Sequence, residues 1–256
     1  MAAFISKIEK KYHIYLIIII AVVIYTSVFV SPYKAVGKTL TLPEVESNSI
    51  VQNVPGFNVG ESPVDIAVDD YKNNIAYVAN SESDTVSVID GDTLKVSNIN
   101  VGERPVDIAV DIISNVAYVA NRGSNTVSVI KETDGVYSNI ANITVGKGPF
   151  SIAVDEASNI AYVLNSDPNS NTVSVINGTN GVYSNIANVT VGKGPSSIAV
   201  DEASNIAYVA NRGSNTVSVI DGDTLKVSNI NVFSDISVGE GPFSIAVNGL
   251  DDILYL

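Results

Sequence analysis

The sequence predicts an all-β fold in which one four-stranded unit is repeated along most of the chain. A Val-Gly-x-x-Pro phrase occurs five times, with intervals of 42, 44, 46 and 47 residues between successive prolines. Each of the first four copies continues with short apolar phrases rich in β-branched residues, and no helical periodicity follows residue 38. A period of this length with four strands per unit is typical of a β-propeller.

The first two strands of each unit are predicted to form a hairpin. The first follows the proline and reads Ile-Ala-Val, and an acidic residue ends it in four copies, while Asn248 stands there in the fifth. The acidic residues are Asp69, Asp111, Asp155 and Asp201. The second strand reads Ala-Tyr-Val-Ala-Asn, or Ala-Tyr-Val-Leu-Asn in one copy. Short polar segments such as 201–205 separate the two strands and supply the turn residues.

The third and fourth strands complete the unit. The third reads Thr-Val-Ser-Val-Ile, in which Val86 and Val88 share one face and Ser87 and Ile89 share the other. An Asp-Gly pair then predicts a tight turn before the fourth strand, Leu-Lys-Val-Ser-Asn-Ile-Asn-Val. We expect a propeller over residues 39–256. Its units are approximately 59–100, 101–144, 145–190, 191–237 and a partial fifth, 238–256.

The fifth unit contains only two predicted strands, 245–247 and 253–256. Residues 39–42 and 50–59 fall where its third and fourth strands belong. We therefore predict four complete blades plus a fifth that is closed by strands from both termini, which removes the free sheet edges of an open ring. The alternative is a fragment of a longer propeller, for example one with seven blades, because the sequence stops within a strand.

The repeated phrases resemble those of the YVTN family of β-propeller repeats. The resemblance rests on Tyr-Val-x-Asn, the preceding Pro-x-x-Ile-Ala-Val-Asp and the following Asn-Thr-Val-Ser-Val-Ile, and it covers about residues 50–256. Leu164 and Asn248 depart from the pattern. Because that family is known from surface-layer and other cell-surface proteins of microbes, the resemblance implies a propeller at the cell surface.

The N-terminal segment predicts a membrane anchor. Residues 1–13 are basic, residues 14–30 carry no charge and would form a transmembrane helix of about 26 Å, and residues 31–38 form a linker. The denser positive charge lies before the apolar run, so we expect a cytoplasmic N-terminus and a membrane-anchored, extracytoplasmic propeller. A cleaved signal peptide is the alternative, although no small-residue cleavage site follows Val30.

Composition excludes several classes of function. After residue 38 the chain has nine basic and 26 acidic residues, a net charge of −17 that repels nucleic acid. The chain has no cysteine, which excludes disulfides and thiolate metal sites. Its single histidine, His13, lies at the predicted membrane edge, so no Ser-His-Asp set can be built in the propeller. We therefore expect no catalytic residues and no cofactor.

Two groups of polar residues are weak candidates for a site. Asp69, Asp111, Asp155 and Asp201 recur at the end of the first strand and would converge on a Ca²⁺ ion only if the ring brought them together. The favoured interpretation is that each caps the turn of its own blade. Asn142, Asn177 and Asn188 begin Asn-x-Ser/Thr sequences and are candidate glycosylation sites in an exported protein.

The repetition itself favours binding over catalysis. Segments 146–165 and 192–211 differ at only two of twenty positions, which leaves little room for the unlike residues of an active site. The copies differ mainly in loops such as 81–84, 103–104, 166–170 and 233–236. We expect a non-enzymatic binding, adhesion or envelope-associated module that recognises a protein or glycan through these loops. The alternatives are a propeller enzyme of the lactonase or lyase type that uses a divalent metal, and a truncated fragment.

Overall fold

The computed structural model describes residues 56–69, 74–167, 170–231, 241–248 and 253–255. They form four antiparallel four-stranded sheets and one two-stranded sheet, and nearly all lie in one compact unit, Val59–Leu256. The predicted all-β class is confirmed, and the four sheets are consistent with propeller blades. The four strands expected in each of the four complete units are present, and the two strands expected at the C-terminal end of the chain pair in the two-stranded sheet.

The strands follow the repeat in chain order. Blade 1 contains β1 (Pro63–Asp69), β2 (Ile75–Asn80), β3 (Thr85–Asp90) and β4 (Val96–Asn100). Blade 2 contains β5 (Pro105–Asp111), β6 (Val116–Asn121), β7 (Thr126–Thr133) and β8 (Val136–Thr144). Blade 3 contains β9 (Pro149–Asp155), β10 (Ile160–Asn165), β11 (Thr172–Asn177), a 3₁₀ turn (Thr179–Gly181) and β12 (Ser184–Thr190). Blade 4 contains β13 (Pro195–Asp201), β14 (Ile206–Asn211), β15 (Thr216–Asp221) and β16 (Val227–Asn231), and the fifth sheet pairs β17 (Ala246–Asn248) with β18 (Ile253–Tyr255).

Each sheet is a simple meander in which neighbouring strands are antiparallel. The first strands of successive blades contact one another, from β1 to β5, β9, β13 and β17, so they form the inner wall. The turns after the first and third strands lie at one end of each blade, which we call the turn end. The loops between the second and third strands and the linkers between blades lie at the opposite end, which we call the loop end.

The core lies between blades rather than within them. Tyr77, Val86 and Val88 of blade 1 pack against Ile108 and Val119 of blade 2. Equivalent residues repeat this contact between blades 2 and 3 and between blades 3 and 4. The alternation predicted in the third strand is present, but Val86 and Ile89 are both buried. A middle strand of a stacked blade is covered on both faces, so alternation there does not separate a wet face from a dry one.

The fourth blade is less buried on the face that points toward the next, two-stranded sheet. Tyr208 and Val219 are half-buried, whereas their counterparts in blade 3, Tyr162 and Val175, are fully buried. The described contact on this face joins Ala210 and Val217 to Ile245.

Several predictions lie outside the described residues. They include the helix over 14–30, the closing strand over 39–42, residues 50–55 of the closing strand over 50–59, and the loop over 233–236. Residues 56–59 of that second closing strand are described, and they form no strand. Within the described ranges, no helix is long and apolar enough to cross a membrane.

Candidate functional site

A polar cluster joins the second, third and fourth strands of each blade near the loop end, and its second-strand asparagine and third-strand serine are buried. In blade 2 the Asn121 Nδ2 donates to Ser128 Oγ at 2.9 Å, and Ser128 Oγ donates to Asn142 Oδ1 at 2.7 Å. The backbone N–H of Gly102 also donates to Ser128 Oγ, at 3.2 Å. The other three blades have the same Asn–Ser–Asn contacts, around Ser87, Ser174 and Ser218. We call this repeated set the polar lock.

The polar lock explains the glycine in Val-Gly-x-x-Pro. A Cβ on Gly102 would lie 2.5 Å from Ser124 Oγ and 2.6 Å from Thr126 Oγ1. Gly60, Gly146 and Gly192 meet equivalent side chains at 2.4–2.6 Å. The linker backbone therefore lies directly on the polar side chains of the blade it enters, and only glycine leaves room for that approach.

The same cluster gives two of the candidate glycosylation sites a structural role. Asn142 and Asn188 lie in β8 and β12, where each side-chain oxygen accepts the Oγ–H of a buried serine. Asn98 and Asn229 do the same in blades 1 and 4, and neither begins an Asn-x-Ser/Thr sequence. The third candidate, Asn177, ends β11 and accepts the N–H of Thr179 at 2.7 Å. The need for an asparagine at this position of every blade therefore explains why residues 142 and 188 are asparagine, whether or not they carry a glycan.

The recurring aspartates lie at the turn end and are buried. The Asp111 Oδ1 accepts the N–H of Ser114 at 2.8 Å, and Asp155 Oδ1 accepts the N–H of Ser158 at 3.0 Å. Asp201 accepts the N–H of Ala203 at 3.1 Å, and Asp69 is buried at the same position of blade 1. These contacts are those of turn caps. Among the described residues, no three side chains from His, Cys, Asp or Glu are placed to share a metal ion.

The inner wall carries a second polar position, two residues after each proline, that sequence reasoning missed. Asp65 Oδ2 accepts the N–H of Ile108 in the next blade at 2.8 Å, and Asp107 Oδ2 accepts the N–H of Ile152 at 2.6 Å. Ser197 Oγ accepts the N–H of Ile245 at 3.3 Å. These side chains satisfy N–H groups on the free edge of the neighbouring inner strand. The signal was present in the sequence, because the position reads Asp, Asp, Ser, Ser and Ser along the five copies.

We call the residues two positions after each proline the inner-wall ring. Its two aspartates, Asp65 and Asp107, affect each other electrostatically. Burial, the adjacent Asp65 carboxylate and a carboxyl–carboxyl hydrogen bond raise the pKa of Asp107 to about 8, against the lowering effect of the Ile152 N–H and of Ser151. At neutral pH the Asp107 carboxyl is therefore largely protonated. Strongly shifted carboxyl groups in a cleft are candidates for chemistry, and they also occur in purely structural positions.

Exposed Arg–Phe pairs distinguish the loop end. The Arg122 guanidinium lies over the Phe150 ring at 5.7 Å, and Arg212 lies over Phe243 at the same distance. Each pair joins one blade to the next, and the Phe150 and Phe243 rings are 41 % and 69 % exposed. The sequence contains their signal as well, because an arginine after the Tyr-Val-x-Asn phrase accompanies a phenylalanine after the next proline.

Comparison with known proteins shows the fold and not the activity. No family model and no curated protein matches the chain. Among solved structures, hydrazine synthase of Kuenenia stuttgartiensis is 22% identical with a TM-score of 0.57, over 71% of this chain and 53% of that one. A functionally unknown protein from Desulfotomaculum acetoxidans is 20% identical with a TM-score of 0.55, over 72% and 61%. A provisionally assigned 6-phosphogluconolactonase from Bacteroides fragilis is 17% identical with a TM-score of 0.57, over 71% and 56%.

The likeness supports a propeller-type fold for this chain. The matched region spans between about half and three fifths of the length of these structures. At these identities the likeness carries no residue role across, because one fold serves many unrelated functions.

Proposed function

We propose that the protein is a non-enzymatic binding module that recognises a ligand through its loop end. The observation that carries the proposal is the exposed pairing of Arg122 with Phe150 and of Arg212 with Phe243. The polar lock beneath the loops fixes their backbone, so the pairs stand on a rigid base. Rigid aromatic and arginine side chains are the groups that most often dominate binding at interfaces.

The proposal includes a location. The repeats are of the YVTN type, and the apolar segment at 14–30 anchors the propeller outside the cytoplasm, at the cell surface. The absence of cysteine permits a direct test. A single cysteine at Ser138, which is exposed, would react with a membrane-impermeant maleimide in intact cells. Labelling only after cell lysis would contradict the extracytoplasmic location.

The binding experiment uses the full chain in detergent micelles, fluorescently labelled, with purified envelopes of the cells that express it. We expect saturable binding that falls at least tenfold in an R122A/R212A variant. A matched control, K95A/K226A, removes the same number of positive charges from the turn end and should bind as the unchanged protein does. Equal binding by all three proteins would contradict the proposal.

A second candidate function is lactone hydrolysis or a lyase reaction with a divalent metal. The observation that favours it is the Asp65–Asp107 pair in the inner wall, where a carboxyl group with a pKa raised to about 8 lies beside another carboxyl group. A panel of lactones assayed with and without Ca²⁺ separates the two functions. Turnover by the full chain that is lost in the D107N variant would favour the enzyme, and no turnover would favour the binding module.

A further inference from the structure

The two ends of the blades differ sharply in charge. Among the described residues, twelve acidic and three basic side chains belong to the turn end. The acidic ones are Asp69, Asp90, Asp92, Asp111, Glu132, Asp134, Asp155, Glu156, Asp201, Glu202, Asp221 and Asp223. The basic ones are Lys95, Lys131 and Lys226. Four of the acidic side chains, at positions 69, 111, 155 and 201, are buried, and the other eight outnumber the three basic ones, so the turn end presents a negative surface.

The loop end concentrates the remaining positive charge of the described residues. Five basic side chains lie there, all exposed and all in blades 2 to 4. They are Arg104, Arg122, Lys147, Lys193 and Arg212. The acidic side chains of the same end are Glu61, Glu82, Asp84, Glu103 and Asp167. Three of these belong to blade 1, so the arc over blades 2 to 4, called the basic arc here, has a net positive charge.

Negative charges at the turn end are crowded. Burial raises the pKa of Glu156, and the charges of Glu202, Asp111 and Asp69 raise it further, although the N–H of Ile112 lowers it. Burial and the charges of Asp155 and Asp111 raise the pKa of Glu202 in the same way, against the N–H of Glu156. Because these carboxylates repel one another, a positively charged partner on this surface would relieve the repulsion.

The basic arc carries positive charges of this kind, and two of them are held in defined positions. Arg122 and Arg212 are held over aromatic rings, which limits their rotamer freedom before any partner arrives. A guanidinium in a fixed position matches a carboxylate with two parallel hydrogen bonds. Phe150 and Phe243 add apolar area beside the charges.

We propose that the basic arc of one molecule binds the turn end of a second copy, so that the propellers associate head to tail. Charge complementarity between the two ends of one chain is the basis of the proposal. The contact is heterologous, so a dimer keeps one free basic arc and one free turn end, and the association extends beyond a dimer. This inference rests on the proposed use of the loop end for binding, and it names a second copy as its partner.

The test measures the mass of the full chain in detergent micelles by sedimentation velocity, across protein concentration and salt. We expect the mass to rise with concentration at low salt and to return to that of a monomer near 0.5 M salt, because rim charges are screened over a few ångströms there. Mass that is independent of both variables would overturn the proposal.

Two charge-reversal variants sharpen the test. R122E/R212E makes the basic arc acidic, and D92K/D134K/E202K makes the turn end basic at three exposed positions. Each variant alone should associate at least tenfold more weakly, and an equimolar mixture should associate again because each end now has a complement. A S138E/S184E variant, changed at exposed positions of the outer strands, should behave as the unchanged protein does. Failure of the mixture to associate, with both variants folded by circular dichroism, would contradict a head-to-tail contact.

The failure of this inference is distinguishable from that of the proposed function. A protein that stays monomeric yet binds envelopes through Arg122 and Arg212 would refute the second-copy partner and retain the binding module. Retention of that monomer on an acidic polysaccharide column would identify an anionic glycan as the partner instead.

Discussion

The polar lock and the inner-wall ring are both polar, both repeated and both close to the first strand, yet they differ in how strictly they repeat. The lock has the same Asn, Ser and Asn in all four blades, with Asn–Ser distances of 2.9 Å in each. The ring changes from Asp65 and Asp107 to Ser151 and Ser197. The difference indicates that the lock is fixed by a packing requirement, whereas at the ring position either Asp or Ser can accept the N–H of the next blade.

The largest effect is expected where the linker lies on the lock. Gly102→Ala places a Cβ within 2.7 Å of three polar atoms and should lower the free energy of unfolding by about 2–3 kcal/mol. The matched control is Gly135→Ala, because Gly135 has φ +79° and no atom within 4 Å of its missing Cβ. That control should lose about 1 kcal/mol from backbone strain alone. Chemical denaturation that ranks the two variants in the opposite order would contradict the close approach.

The next effect tests the lock itself. Ser128→Ala removes one partner each from Asn121, Asn142 and Gly102, and we expect a loss of about 2 kcal/mol because the Asn121 amide is fully buried and the Gly102 N–H is half-buried. Ser138→Ala, in the exposed part of β8, serves as the control and should change stability by less than about 0.5 kcal/mol. Equal losses at the two serines would remove the distinction between the lock and the rest of the sheet.

The inner-wall ring should instead make the free energy of unfolding depend on pH. The pKa of Asp107 is raised to about 8 in the folded protein, whereas an aspartate in an unfolded chain titrates near 4. Below about pH 4 the carboxyl is protonated in both states. Between about pH 4 and 8 the unfolded chain releases a proton that the folded chain keeps, so stability falls as pH rises.

Asp107→Asn tests this relation because the amide can still accept the N–H of Ile152. The variant should match the unchanged protein near pH 4.5 and exceed it at pH 8 by on the order of 1–2 kcal/mol. Denaturation at the two pH values measures the difference. A variant that is less stable at pH 8 would show that the pair supports the fold in its ionised form.

The smallest effect concerns the linker residue before the proline. Arg104 has φ +53°, where Gly148, Gly194 and Gly241 stand in the following linkers. Arg104→Gly relieves that strain but adds freedom to the unfolded chain, so we expect a change within about 0.5 kcal/mol. Gly148→Ala should cost more, because its Cβ would lie 3.0 Å from the backbone nitrogen of Asp167. Thermal unfolding of both variants provides the comparison.

The sequence was sufficient for the strands and the turns but not for contacts between blades. Phrases such as Thr-Val-Ser-Val-Ile carry the period and propensity of a strand, and the prediction that Asp111 and Asp155 cap turns agrees with the structure. The lock joins Gly102 to Ser128, and the ring joins Asp107 to Ile152, at separations that no local pattern encodes. Both contacts depend on how residues distant in the sequence pack together in the folded chain.

Burial was the other feature that the sequence did not determine. Alternation in the third strand predicts one buried face, yet stacking between blades buries both Val86 and Ile89. Phe150 is the reverse case, because it lies in β9 and is apolar, yet its ring is exposed. In a repeat fold, the neighbouring blade decides which face is dry.

Amide hydrogen exchange at the linkers measures the lock most directly. Gly102 donates its N–H to the buried Ser128, and the next residue, the exposed Glu103, donates its own to the half-buried Ser124 at 3.1 Å. We predict that the Gly102 amide exchanges at least about 100-fold more slowly than the Glu103 amide, since it needs the lock to open. The same contrast should recur between Gly192 and Lys193, which have the equivalent bonds in blade 4. Equal exchange within each pair would contradict the claim that the lock holds each linker on its blade.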